Sequence, residues 1–191
     1  IGFSLYNEML ARTVRAMRDG LEVDPEGRAD HGPEVELQVP ALLPEEYLPD
    51  IHLRLVLYKR IANAGSDAAL AELGRELGDR FGHLPAATAN LLRIASLRLR
   101  ARALGIQRLG AGAGGGSIEF GPQPRVDPAV LVRLVSSDPR QYRLDPRQRL
   151  VFRAGLEGAE ERFAYVEQLL ARLAGAGESP PALARAGGVA S

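Results

Sequence analysis

Leu42–Pro85 reads LLPEEYLPDIHLRLVLYKRIANAGSDAALAELGRELGDRFGHLP. Its punctuation predicts three helices with little slack between them. Asp50 precedes a run in which Leu53, Leu57 and Ile61 recur on one helical face, so it reads as an N-cap whose carboxylate meets a free first-turn amide. That helix runs to about Asn63. Ser66 caps a second helix, and Asp67 in its first turn suits the positive end of the helix dipole. It ends near Phe81, where Gly82 can adopt the left-handed stop. Pro85 fits the first turn of a third helix running to about Leu104, with Leu92, Ala95, Leu99, Ala103 and Ile106 as its buried side and Gly105 as its stop. Loops this short should pack the three helices as a compact antiparallel cluster.

The flanks have a different character. Upstream, Val35, Leu37 and Val39 alternate, predicting a short strand over Glu34–Val39 ended by Pro40. Residues 44–50 form a turn bracketed by Pro44 and Pro49. Downstream, Ile106–Leu109 and Ser117–Phe120 read as strands joined by a flexible glycine-rich turn over Gly110–Gly116. Asp127-Pro128 opens a short helix through Val135. Tyr142–Leu144 and Arg149–Phe152 read as strands around the Asp145-Pro146 turn. Leu156–Leu173 is a final helix with Phe163, Val166, Leu169, Leu170 and Leu173 on its buried face. The fold class is α+β: a compact helical cluster packed with a small, mainly antiparallel β-sheet, plus an N-terminal linker helix.

That linker helix is expected over residues 3–19, followed by a Gly/Pro/acid-rich linker at residues 21–33. Residues 174–191 carry Gly, Ala, Pro and Ser with little to bury and are expected to be disordered. The chain has 191 residues, 24 Lys plus Arg and 24 Asp plus Glu, so zero net charge gives no global reason to bind nucleic acid or anionic membranes. The charges are nevertheless segregated. Glu22–Asp50 is acidic, whereas Arg93–Arg153 is rich in arginine. There is no cysteine, hence no disulfide or thiol chemistry. No apolar run is long enough to span a bilayer, and no signal peptide opens the chain. A cytoplasmic protein is the expectation.

Candidate chemistry is sparse. His31, His52 and His83 lack a second ligand at helical spacing, so no zinc site is read. AGAGGGS at Ala111–Ser117 is followed by a strand rather than by the lysine, hydroxyl and helix of a phosphate loop. Glu45, Glu46 and Asp50 sit in a wet turn unsuited to splitting carboxyl pKa values. On the Ser66–Phe81 helix, Leu70, Leu73, Leu77 and Phe81 form the core stripe, while Glu72, Glu76 and Asp79 form another, flanked by Arg75 and Arg80. Stacked like charges and two interior glycines, Gly74 and Gly78, both work against an isolated helix. Two readings stay open: incidental surface charge, or carboxylates presented to an arginine-bearing partner with the glycines allowing close approach. Arg93, Arg98, Arg100 and Arg102 could hold phosphates, but at helical spacing they spread around their helix.

Several motifs in order make the chain resemble the C-terminal region of bacterial transcription-repair coupling factors, the Mfd family. They are GFSLYNEML at Gly2–Leu10, EVELQVPALLPEEYLPD at Glu34–Asp50, RLVLYKRIA at Arg54–Ala62, ELGDRFGHLP at Glu76–Pro85, GSIEF at Gly116–Phe120 and QYRLDPRQRLVF at Gln141–Phe152. The resemblance spans residue 1 to about 173. It implies that residues 1–27 are the tail of the second translocase motor lobe and linker, that 28–173 are the C-terminal regulatory domain, and that 174–191 are tail. It implies a non-catalytic chain within an ATP-dependent DNA translocase whose ATP and Mg chemistry lies elsewhere, with no cofactor or metal here. The family's domain docks on an N-terminal UvrB-like module, masking UvrA binding and restraining translocation in transcription-coupled repair. The parent would meet UvrA, RNA polymerase and double-stranded DNA. By position before Arg-Phe-Gly, Glu76 and Asp79 match the family's docking acids. Glu72 joins them on helical geometry alone. The alternative is a nucleic-acid-binding accessory domain using the Arg93–Arg153 basic region.

Overall fold

The computed structural model of the chain describes residues 32–147 and 149–175. The expected helix over residues 3–19, most of the linker, the boundary near residue 27, His31 and the chain from residue 176 onward lie outside the described residues. The described elements are β1 (Glu34–Glu36), α1 (Ile51–Ala62), α2 (Asp67–Phe81), α3 (Ala86–Ala103), β2 (Ile106–Gly112), β3 (Gly115–Phe120), α4 (Pro128–Ser137), β4 (Tyr142–Leu144), β5 (Arg149–Arg153) and α5 (Ala159–Leu173). This is the expected α+β composition.

Local chemistry sets the helix starts. The Asp50 side chain accepts from the Leu53 amide, and the Ser66 hydroxyl accepts from the Ala69 amide. Gly82 ends α2 at φ 88°, a positive angle that suits glycine, but its ψ of −164° places it outside the left-handed helical region expected for it. Pro85 is the N-cap of α3 rather than part of its first turn.

Five strands form one sheet in the order β1-β2-β3-β5-β4. The β1–β2 pair is parallel, with Val35 opposite Leu109, and the other pairs are antiparallel. A parallel neighbour requires a long crossover. The three helices α1–α3 supply it. The sheet and α5 enclose Leu109, Ile118, Leu150, Phe152, Phe163 and Val166, all almost fully buried.

The first strand is shorter than the alternation suggested. Pairing stops at Glu36, and Gln38 takes φ 53°. The alternating burial continues regardless, through Leu37, Val39, Ala41 and Leu43. Off the sheet, this extended segment finds other polar partners. Arg162 donates to the carbonyls of Leu37 at 3.3 Å and Gln38 at 2.9 Å. Asn90 donates to the Pro40 carbonyl, the Leu42 amide donates to Ala87, and the Tyr58 hydroxyl accepts from the Leu43 amide. Buried Arg54 donates to the Leu48 carbonyl at 2.8 Å.

Two expectations need correction. The buried positions of α3 are Thr88, Leu91, Ile94, Ala95, Leu97 and Ala101, while Leu92 and Leu99 are half-buried and Ala103 is exposed. They do not form one stripe, because α3 packs against α1, α2, α5, β1 and β2 at once. Within the expected helical cluster, α1 and α2 both pack on α3, and Arg60 of α1 bridges to Glu76 of α2. Finally, the glycine-rich segment is not a slack turn. β2 continues through Gly112 and β3 resumes at Gly115, leaving Ala113 and Gly114 as the turn.

The reason is steric. A Cβ on Gly116 would overlap the Gly110 carbonyl and come within 2.7 Å of the Phe152 ring, and Gly115 sits at φ 125° against the Phe152 backbone. These glycines let the hairpin lie flat beneath Phe152. Replacing Gly116 with alanine is expected to lower unfolding stability by about 1–3 kcal/mol, the cost of overpacking a filled site. Urea denaturation measures it, and an unchanged midpoint would contradict this packing.

Candidate docking surface

A groove of about 670 Å³ lies between α1 and α2, both of which pack on α3. Val56, Ala69 and Leu73 contribute its apolar lining, and Lys59, Arg60, Glu72 and Glu76 its charge. Val56 is 54% exposed, so apolar surface is open to solvent in the groove.

Of the expected acids, Glu72 and Glu76 line this groove together, and Asp79 is exposed one turn further along α2. Glu72 and Asp79 make no ion pair among the described residues. Glu76 is different. Arg60 of α1 grips it with two parallel hydrogen bonds, at 2.9 Å to Oε1 and 2.7 Å to Oε2, and Arg80 adds a third at 2.9 Å to Oε1. The acidic stripe is therefore a mixed-charge surface with one carboxylate already held and two open to solvent. Arginine bonds, those of Arg60 before those of Arg80, bring the Glu76 pKa down to about 2.

The surroundings fix the far end of α2. The Tyr47 hydroxyl reaches the carbonyls of Leu77 at 2.9 Å and Gly82 at 3.1 Å, which places the Pro44–Asp50 turn over the helix terminus. Its ring meets Phe81 edge-on, and the Arg80 guanidinium lies 5.0 Å from the Phe81 ring centre. Gly74 and Gly78 do not face a partner, contrary to the reading that they allow one to approach. A Cβ at Gly74 would lie 3.2 Å from Leu92, and one at Gly78 would lie 3.3 Å from Leu84. They let the rest of this domain close on α2.

Part of the basic region is engaged within the chain. One Arg93 nitrogen donates to both oxygens of Glu160 at 2.8 Å, the other donates to Glu167 at 3.2 Å, and the guanidinium lies 4.0 Å from the centre of the Phe163 ring. Arg98 donates to the Pro33 carbonyl, Arg100 faces Asp67, and Arg149 pairs with Asp145. Arg98 and Arg102 line a separate cavity with Arg125, and both have further partners. The arginines of α3 thus offer no single face to a phosphate backbone.

Other candidates stay apart from the groove. His52 and His83 are exposed, as are Glu45 and Glu46. Among the described residues no cluster of His, Cys, Asp or Glu could hold a metal ion, and no helix is long and apolar enough to cross a membrane. The residue missed from sequence is Arg60. Lys59-Arg60 at the end of a helix reads as an ordinary complement to its dipole, and nothing local points sixteen residues ahead to Glu76.

Comparison with known proteins agrees with this architecture. Residues 37–131 match the TRCF domain family model. The transcription-repair-coupling factors of Haemophilus influenzae and Escherichia coli are 44% and 43% identical to the chain, each over 91% of its length. That of Myxococcus xanthus is 32% identical over 81%. The chain belongs to the transcription-repair coupling factor family and carries its TRCF domain. It spans only 15% of the length of the Haemophilus and Escherichia relatives and 12% of the Myxococcus one. A crystal structure of the C-terminal domain of a transcription-repair coupling factor shares the fold, with a TM-score of 0.60 over 76% of this chain and 97% of that domain at 24% identity.

The ion-pair geometry has a pH signature. The folded-state pKa of Glu76 lies below its unfolded value. Its contribution to stability is therefore complete above the ordinary carboxylate range and is lost as pH falls toward about 2. A side-chain carboxyl titration by NMR should place the Glu76 midpoint near 2, and Arg60→Gln should move it upward. A midpoint in the ordinary range for the unaltered chain would mean that the fork does not form in solution.

Proposed function

We propose that this chain is the non-catalytic, autoinhibitory C-terminal domain of a transcription-repair coupling factor. It docks on the UvrB-like N-terminal module of its own parent, hides the surface that receives UvrA, and restrains ATP-driven translocation on double-stranded DNA until stalled RNA polymerase is engaged. ATP and Mg serve the motor segments and not this one. Residues 1–27 belong to the end of the second motor lobe, and the domain begins near residue 28.

The observation that carries this reading is the carboxylate row on α2. Asp79 and Glu72 stand exposed on either side of Glu76, which its own arginines already hold in place. A partner arginine would meet two open carboxylates and, at Glu76, one that Arg80 holds from within the same helix. Charge-assisted bonds of this kind favour the closed state only by their difference between docked and undocked forms, so opening is a shift of population.

The full parent protein provides the test. Glu76→Ala together with Asp79→Ala should raise UvrA affinity in the absence of polymerase by on the order of tenfold, because a loss of 1.4 kcal/mol at the contact is a factor of ten. Basal ATP turnover should rise with it. Calorimetric UvrA titration and a steady-state ATPase assay measure both. A well-folded double variant with unchanged UvrA affinity and turnover would remove this surface from the inhibitory contact.

A further inference from the structure

The groove between α1 and α2 already holds an arginine of its own. Arg60 lines it and sets its guanidinium fork on both oxygens of Glu76, while Arg80 takes a third position from the same helix as Glu76. An ionised carboxylate offers about four acceptor positions, so three of them are filled. The two-point fork is the arrangement an incoming arginine would itself seek. Val56, Ala69 and Leu73 in the same groove offer apolar surface for a methylene stem, and Glu72 adds a second anion.

Resting on the docking role proposed above, we propose that Arg60 is an internal competitor: a positioning residue that occupies Glu76 in the undocked domain and swings out to admit a partner arginine into the α1–α2 groove. The groove therefore takes an arginine in particular, since an ammonium cannot reproduce the fork. Two features make the exchange feasible. The Arg60 side chain is 45% exposed, so its head moves into water rather than into a packed interior. Arg80 remains on Glu76 from four residues along α2 and keeps the carboxylate aimed during the exchange. Exposed pairs of this kind are held weakly, which suits a contact that must be broken.

The consequence is a sign opposite to the usual loss of a surface charge: removing Arg60 strengthens docking. The separately purified UvrB-like module is titrated by calorimetry at low salt into the 191-residue chain as wild type, Arg60→Gln, Arg60→Lys, Asp79→Asn and the Arg60→Gln/Glu76→Gln double variant. Arg60→Gln should tighten binding by about two- to fivefold, the range an exposed ion pair supports. Arg60→Lys should fall between wild type and Arg60→Gln, and Glu76→Gln should abolish the gain. Equal or weaker binding by both Arg60 variants overturns the competitor. If Asp79→Asn weakens binding while the Arg60 variants do not strengthen it, the docking surface stands and only the competitor fails. If the wild-type chain does not bind the module at all, both fail together.

Discussion

The structure depends on one extended segment that leaves its sheet but not the core. From Val35 to Leu43 every second side chain is buried, although ladder pairing ends at Glu36. Buried backbone groups without a neighbouring strand would each cost on the order of 1–3 kcal/mol if left unpaired. Here side chains and helix-end backbone from distant elements supply the partners. Arg162, Asn90, Thr88, Ala87 and Tyr58 draw α5, α3 and α1 onto a single thread. That thread is why a modest five-strand sheet and five helices share one interior.

The arrangement of helices follows from this anchoring. α3 lies against the sheet and against the other helices, so its side chains are buried on several sides. α1 and α2 both rest on α3. The groove between them collects Val56, Glu72 and Glu76. The Tyr47 hydroxyl ties down the end of α2, and at Gly74 and Gly78 the absence of a Cβ leaves room for Leu92 and Leu84. The exposed carboxylates are thus presented on a braced helix, which favours a defined contact over an adaptable one.

Much of the local structure was legible from sequence because it rests on local chemistry. Asp50 and Ser66 cap their helices as their side chains dictate, Gly105 turns the chain at φ 69°, and the apolar face of α5 is Phe163, Val166, Leu169, Leu170 and Leu173 as its period implies. The candidate acids were legible as a stripe for the same reason. Their electrostatic state was not. An arginine sixteen residues away on another helix determines whether Glu76 is free, and no periodicity within α2 carries that information. Arg93, Arg100 and Arg149 show the same limit: along the chain they read as part of a basic region, but in space they pair with Glu160 and Glu167, with Asp67, and with Asp145.

By itself the sequence determined the helices among the described residues, the caps at Asp50 and Ser66, most strands and the family, since capping, period and motif order act over a few residues. Only the tertiary structure decided the strand order, the parallel β1–β2 pair, the in-sheet path of the glycine hairpin and the groove beside Glu76. Each of those depends on surfaces brought together from far along the chain, where the packing of α3 and Phe152 sets which backbones and charges can meet.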